Sequence, residues 1–202
     1  MTRTVRPAVL IFAVGALAFS LGYVAFPHSE DDHYLGLGSD LSGLVLDPGT
    51  TAPAFVVSHL DGSPLASSDL EGKIVVVDFW ATWCAPCLTE IPHYNSLHEE
   101  YADKGVEMLG ITLQSGSQEQ VEEWVSRPVR VGAQEFSLDY PVVMGNADVE
   151  ASWGPIYGFP MTYLVDSEWK IRKKWLGAVA NKSEQLRHLI DELIAERADA
   201  SG

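Results

Sequence analysis

Basic residues are scarce in this chain. Only 13 Lys and Arg residues stand against 28 Asp and Glu residues, which gives a formal net charge of -15 over 202 residues. A nucleic-acid partner requires a stripe of basic side chains facing the phosphates, and the sequence contains none. The composition therefore argues against nucleic-acid binding and predicts an acidic surface.

Cysteine is scarcer still, since Cys84 and Cys87 are the only two and both lie in FWATWCAPC. A structural disulfide here would close a very small loop and remove little chain entropy. A zinc site needs four ligands, and the nearest candidates, His93 and His98, are five residues apart and so face different sides of one helix. These two interpretations, and that of two inert buried thiols, remain as alternatives.

The position of the pair favours a reactive role. Cys84 lies where an apolar strand gives way to a helix, so its sulfur is expected to face the free N–H groups at the start of that helix. Those groups favour the thiolate, which is the species that attacks a disulfide. The spacing thus predicts that Cys84 attacks and that Cys87, one turn later, resolves the mixed disulfide.

The longest uncharged stretch lies at the N-terminus, where Ala8–Phe26 contains no charged residue in 19 positions. A stretch of this length is long enough to span a bilayer. Arg3 and Arg6 precede it and acidic residues follow it, which predicts that the bulk of the chain lies outside the cytoplasm. We expect residues 1–26 to be a membrane anchor, with a cleaved signal segment as the alternative.

The remaining chain divides into an acidic, Gly- and Ser-containing linker at 27–50 and a folded domain at 51–198. Strands alternate with helices along this domain, so we expect an α/β sheet with helices on both faces. The expected elements are a hairpin around Asp61–Gly62, a buried strand at Lys73–Trp80, a helix at Pro86–Tyr101, a strand at Val106–Leu113, a helix at Gln118–Arg127, a short strand at Tyr140–Gly145, a helical segment at Val149–Gly158, a hairpin of Met161–Asp166 with Ile171–Leu176, and a helix capped by Asn181.

Two segments carry a family resemblance. VVVDFWATWCAPC and the later YGFPMTYLVD resemble the thioredoxin superfamily, and in particular its membrane-anchored, exported TlpA/ResA/CcmG-like thiol-disulfide oxidoreductases. The resemblance covers residues 50–197 and implies a thioredoxin fold with an N-terminal hairpin and a central insertion at Ser117–Tyr157. It also implies electron transfer from a membrane thiol donor of the DsbD/CcdA type to exported disulfides, often those of apocytochrome c, with no bound cofactor.

The resemblance assigns residues to the substrate surface. Pro160 matches the cis-proline that faces the cysteine pair in this family. A cis bond there is expected to leave the Phe159 backbone extended and ready to bind a substrate segment as an added strand. Trp83, beside the first cysteine, is expected to shape the contact surface.

Two carboxylates complete the implied site. Asp78, inside the buried strand, matches the family's internal acid, which takes the proton lost by Cys87; desolvation is expected to raise its pKa. Glu90 follows Cys87 by three residues, on the same helical face, and matches a glutamate beneath the site. Alternatives are a backbone-bonded aspartate and a solvated glutamate. No lysine occurs between Gly105 and Leu164, so we expect Asp78 to lack a lysine partner.

The residues between the cysteines bear on the direction of electron flow. Ala85 and Pro86 add no charge, and Pro86 removes an N–H donor, so the thiolate gains little and we predict a reductant. Two other functions on the same fold remain alternatives: Sco-like copper delivery, which has three residues between its cysteines and a distant histidine, and a thiol peroxidase.

Overall fold

The computed structural model describes residues 46–154 and 156–200. The predicted anchor at 1–26 and most of the predicted linker lie outside the described residues. Within the linker, Leu46 packs against the core, and the Gly49 N–H donates to the Ile171 carbonyl at 2.6 Å. None of the helices in the described ranges has both the length and the apolarity needed to cross a bilayer.

Strands and helices alternate as expected. The strands are β1 (Val56–His59), β2 (Pro64–Ala66), β3 (Ile74–Trp80), β4 (Val106–Thr112), β5 (Val129–Val131), β6 (Gln134–Phe136), β7 (Val142–Met144), β8 (Met161–Val165) and β9 (Ile171–Leu176). The helices are α1 (Ala85–Tyr101), α2 (Gln118–Val125), α3 (Ala147–Ser152) and α4 (Lys182–Ala200).

One mixed, seven-stranded sheet organises the domain, in the order β2-β1-β7-β4-β3-β8-β9. Strand β4 is parallel to β3 and β7, whereas β8 is antiparallel to β3. Both predicted hairpins, β1–β2 and β8–β9, are present and antiparallel. Strand β3 lies between β4 and β8, and both of its faces are buried, as its near-continuous β-branched sequence predicts.

All seven residues of β3 are buried, and successive side chains enter two different cores. Val75, Val77 and Phe79 face a core that includes residues of α3 and β1. Ile74 and Val76 face a second core built from α1 and α4. Because side chains alternate along a strand, Asp78 faces the same side as Val76, beneath α1 and α4.

The central insertion differs from the sequence-based expectation in two places. A small hairpin, β5–β6, forms where no structure was predicted. Helix α3 begins at Ala147, two residues before the expected segment, because the Asn146 side chain accepts the Val149 N–H at 2.9 Å and caps the first turn. The helix ends at Ser152, before the expected end of the segment at Gly158.

Candidate active site

The cysteine pair lies at the junction of β3 and α1. Cys84 is the residue that precedes the first turn of α1, and its Sγ accepts the backbone N–H of Cys87 at 3.3 Å. Pro86 occupies the first turn, where its missing N–H breaks no helical hydrogen bond. The two sulfurs form a disulfide, with the Cα atoms 5.3 Å apart. The predicted position of Cys84 at the start of a helix is confirmed.

Both cysteines are almost fully buried, but they differ in their position relative to an open cavity. Cys84 is only 4% exposed, but it lines an open cavity of about 450 Å³, here called the cysteine cavity. Cys87 is 3% exposed and does not line it. A substrate disulfide can therefore reach the first sulfur from this side, while the second is held behind it.

The cysteine cavity has aromatic walls. Trp83 is 62% exposed and packs edge-on against Phe159, with ring centroids 5.8 Å apart. Tyr157 is 82% exposed on the same wall. Of the described residues that line the cavity, none is charged, and Gln114 supplies an amide side chain. The surface suits an uncharged stretch of polypeptide.

A cis peptide bond joins Phe159 to Pro160, as the resemblance implied. Pro160 is buried, and its carbonyl accepts the Gly177 N–H at 2.8 Å, which ties this turn to the end of β9. Phe159 lines the cysteine cavity together with Cys84, so the cis bond lies beside the cysteine pair.

Beneath the cysteines lies a buried network of polar side chains, made of Asp78, Glu90, Tyr94, Thr162 and Lys182. The Thr162 hydroxyl donates to Asp78 Oδ1 at 2.8 Å. The Tyr94 hydroxyl lies 3.3 Å from both Asp78 Oδ1 and Glu90 Oε2. The structure thus joins the two predicted carboxylates through one phenol, and Glu90 is not a solvated helix carboxylate.

Lys182 contradicts the expectation that Asp78 has no lysine nearby. Its Nζ lies 2.8 Å from each carboxylate oxygen of Glu90 and 3.1 Å from the Thr162 hydroxyl that bonds Asp78. The segment from Gly105 to Leu164 contains no lysine, but this lysine comes from the first turn of α4, which follows that segment. It is 4% exposed, so its charge is balanced inside the protein.

Burial dominates the electrostatics of the network. Desolvation raises the pKa of Asp78 from its ordinary 3.8 to about 7, with the positive charge of Lys182 opposing the rise and the negative charge of Glu90 adding to it. Desolvation and the same carboxylates also hold the pKa of Tyr94 well above its usual value. Asp78 can therefore exchange a proton near neutral pH, while Tyr94 stays a neutral hydrogen-bonding group.

Sequence reasoning missed Lys182, Tyr94, Thr162 and Gln114 as members of the site. One signal was available for the lysine. Lys182 precedes the buried residues Leu186 and Ile190 by four and eight positions, so the helical period places it on the apolar stripe of α4. A lysine on such a stripe requires a buried partner.

No group of three or more His, Cys, Asp and Glu side chains is arranged to hold a metal ion among the described residues. His93 is exposed on α1, and His98 lies further along the same helix. The cysteines are bonded to each other rather than arranged with the histidines.

These features have counterparts in known protein families. The AhpC/TSA family profile matches residues 48–174, more than half of the chain. The thiol-disulfide oxidoreductase ResA of Geobacillus thermodenitrificans is 33% identical over 141 residues, covering 70% of this chain and 75% of the relative. A ResA of Bacillus cereus is 28% identical over 188 residues, covering 93% of this chain and 94% of the relative.

The fold has solved counterparts as well. A thiol:disulfide interchange protein of the thioredoxin family from Chlorobium tepidum superposes with a TM-score of 0.60 at 25% identity, covering 73% of this chain and 98% of that one. The predicted thioredoxin fold, a mixed sheet with helices on both faces, is confirmed.

Proposed function

The chain belongs to the AhpC/TSA family and is a thiol-disulfide oxidoreductase like its ResA relatives, and from this we propose that it reduces disulfides in exported proteins. Apocytochrome c is the candidate substrate. The observation that carries this proposal is the unequal placement of the cysteines. Cys84 lines the cysteine cavity, whereas Cys87, which forms the disulfide with Cys84, does not line it.

In the proposed reaction, the reduced protein attacks with the Cys84 thiolate. A bond forms between Cys84 Sγ and one substrate sulfur, the substrate disulfide breaks, and the released substrate thiolate takes a proton from water. Cys87 then loses its proton and attacks Cys84 Sγ, which releases the second substrate thiol and leaves the Cys84–Cys87 disulfide. A dithiol donor restores the reduced state, for which we propose a membrane protein of the DsbD/CcdA type.

Asp78 is the proposed acceptor of the Cys87 proton. Cys87 is 3% exposed, so a base inside the protein is better placed than bulk water to take this proton. A pKa of about 7 for Asp78 matches the requirement that a general base be near its midpoint at the working pH. Glu90 follows Cys87 by one turn on the buried face of α1 and belongs to the same network.

The proposed direction is reduction. A strong oxidant stabilises its reduced form by strengthening the thiolate, usually with positive charge near the attacking sulfur. Here Ala85 and Pro86 add no charge, and Lys182, the buried cation beneath the pair, is already balanced by Glu90, so the network supplies no net positive charge. These features favour a dithiol that gives up its electrons readily.

The proposed location is the outer side of a cytoplasmic membrane, with residues 1–26 as the anchor. The uncharged stretch Ala8–Phe26, preceded by arginines, supports this placement. The net charge of -15 favours basic over acidic protein partners.

A trapping experiment tests the proposal. In Cys87→Ser, the mixed disulfide between Cys84 and its substrate cannot be resolved, so partners accumulate as covalent adducts that mass spectrometry identifies. We expect exported, cystine-containing proteins in the adducts of the full chain expressed in its native membrane, and none with Cys84→Ser. An absence of adducts, or adducts with cytoplasmic proteins alone, would contradict it.

A further inference from the structure

A second opening reaches the buried network from another side of α1. This α1–α4 cleft has a volume of about 320 Å³ and lies between α1 and the segment Ala178–Ser183, which leads into α4. Its walls include Glu90, Tyr94 and Lys182. Among the described residues, it shares no lining residue with the cysteine cavity. The buried network therefore has its own exit, separate from the surface that receives substrate.

Hydrogen bonds continue from this exit to Asp78. Lys182 Nζ contacts Glu90 at the cleft and donates to Thr162 at 3.1 Å, and Thr162 donates to Asp78 at 2.8 Å. The Tyr94 hydroxyl lies within reach of both carboxylates, but it has a single proton and can donate to only one of them at a time. The side chain of Glu90 is 12% exposed, whereas Asp78 is 1% exposed, so solvent meets the network at Glu90.

The reaction creates a need for such an exit. Once Cys84 is joined to a protein substrate, that substrate covers the cysteine cavity at the moment when Cys87 must lose its proton. The proton taken by Asp78 must then leave by another route, and it must return when the disulfide is next reduced.

We propose that the α1–α4 cleft is a proton port, meaning the place where the proton taken from Cys87 during resolution leaves the protein for solvent. Lys182 is the positioning residue on which this path depends. Lys182 balances one of the two buried carboxylates and fixes Glu90 and Thr162 in one connected arrangement. The inference rests on the proposed thiol-disulfide exchange and adds the path of the proton to it.

The charged and titratable groups facing Asp78 come from four directions. Glu90 and Tyr94 belong to α1, Lys182 to α4, and Tyr140 to the segment before β7; the Thr162 hydroxyl belongs to β8. Desolvation raises the pKa of Tyr140 well above its usual value, so this phenol stays neutral. Lys182 is the cation in this set and lowers the pKa of Asp78, so its removal is expected to move the titration of the base to higher pH.

The experiment uses the reduced full chain and an aromatic disulfide that releases a coloured thiolate. The first equivalent of colour reports attack by Cys84, and the second reports resolution by Cys87. In Lys182→Ala, we expect an attack rate within about twofold of the unmodified protein. The resolution rate at pH 7 is expected to fall by about fivefold for the first unit of raised pKa and by about tenfold for each further unit. The pH profile of resolution is expected to move to higher pH.

Small amines then test the port itself. Propylammonium replaces the deleted side chain in size and charge, so it is expected to restore resolution in Lys182→Ala by entering the cleft, whereas the neutral propanol is not. The matched control is Lys73→Ala, which removes a partly exposed lysine paired with Glu107 at 2.9 Å, away from the α1–α4 cleft. There we expect a normal rate and no effect of propylammonium.

Each outcome has one meaning. A Lys182→Ala profile identical to the unmodified one overturns the inference, and so does slow resolution that both additives or neither additive restores. If the unmodified protein releases no coloured thiolate, the proposed function fails instead. Should Lys182→Ala fail to fold, the double variant Glu90→Gln, Lys182→Met removes both charges of the pair together. The pH profile of its resolution step is expected to move to higher pH by less than that of Lys182→Ala. An unchanged profile overturns the inference.

Discussion

The indole N–H of Trp83 donates to the backbone carbonyl of Gln114 at 2.9 Å, and Gln114 holds that carbonyl in place with a φ of 53°. A non-glycine residue in this left-handed region carries a cost of about 1–2 kcal/mol. The loop after β4 thus stores strain beside Cys84 and fixes an exposed aromatic ring on the wall of the cysteine cavity.

Gln114→Gly is expected to stabilise the protein by about 0.5–1 kcal/mol, because relief of the left-handed strain exceeds the extra chain entropy of glycine. The carbonyl that accepts from Trp83 is kept. Gln134→Gly is the matched control, since Gln134 is an exposed residue of β6; it is expected to destabilise by about 0.5–1 kcal/mol. Urea unfolding of both variants measures the difference. Equal destabilisation would show that Gln114 is not strained.

Trp83→Ala is expected to raise the KM for a protein disulfide by about 3- to 10-fold, because it removes the aromatic contact with Phe159 and the cavity wall. The rate at which a small alkylating reagent modifies Cys84 is expected to stay within about twofold, since the helix start is unchanged. Trp83→Phe keeps a ring without the indole N–H and should lie between. A variant with normal KM and slowed alkylation would assign Trp83 to the thiolate instead.

Local signals account for the parts of the fold that the sequence predicted. The β-branched run of β3 predicts a central strand, and the two-residue spacing of Cys84 and Cys87 predicts a pair at a helix start. The hairpin β5–β6 was missed because its short strands, VRV and QEF, lack the apolar run that indicated the equally short strand β7, VVM.

The contacts within the buried network could not be predicted from the sequence and became visible only in the fold. Lys182 lies 92 residues after Glu90, and its neighbours Asn181 and Ser183 are typical of an exposed helix start. Only the packing of α4 against α1 brings the two charges together. The periodicity of α4 indicates that Lys182 is buried, but it does not indicate which carboxylate it meets.

Asp78→Asn is expected to stabilise the folded protein above pH 7. The pKa of Asp78 is raised from 3.8 to about 7 in the folded state, so the folded protein binds this proton more tightly than the unfolded chain. The stabilisation that comes from this tighter proton binding at Asp78 is fully present below pH 4 and is lost as the pH rises to 7. The free energy of unfolding changes by about 4 kcal/mol over this range. The amide still accepts from Thr162 and leaves the Lys182–Glu90 pair intact.

The measurement is the free energy of unfolding of Asp78→Asn minus that of the unmodified protein, between pH 4 and 8. This difference is expected to grow with pH across the interval and to level off above 7. Asp61→Asn is the control, because Asp61 is exposed and its pKa is lowered by hydrogen bonds from Ser63. A flat difference for Asp78→Asn would mean that the carboxyl has an ordinary pKa in the folded state.

Pro86→His is expected to make the Cys84–Cys87 couple more oxidising. The substitution restores an N–H in the first turn of α1 and adds a partly cationic ring beside Cys84, and both favour the thiolate and hence the reduced form. A gain of about 1.4 kcal/mol in the reduced form corresponds to about 30 mV. Equilibration with glutathione at pH 7 measures the shift.

Thr89→His is the control, because Thr89 is exposed one turn further along α1 and lines the α1–α4 cleft instead of the cysteine cavity. Since the effect of the helix start fades within the first turn, we expect less than about 10 mV there. Equal shifts in the two variants would mean that the potential follows the overall charge of the protein, and the reductant assignment would then lose the local reason given for it.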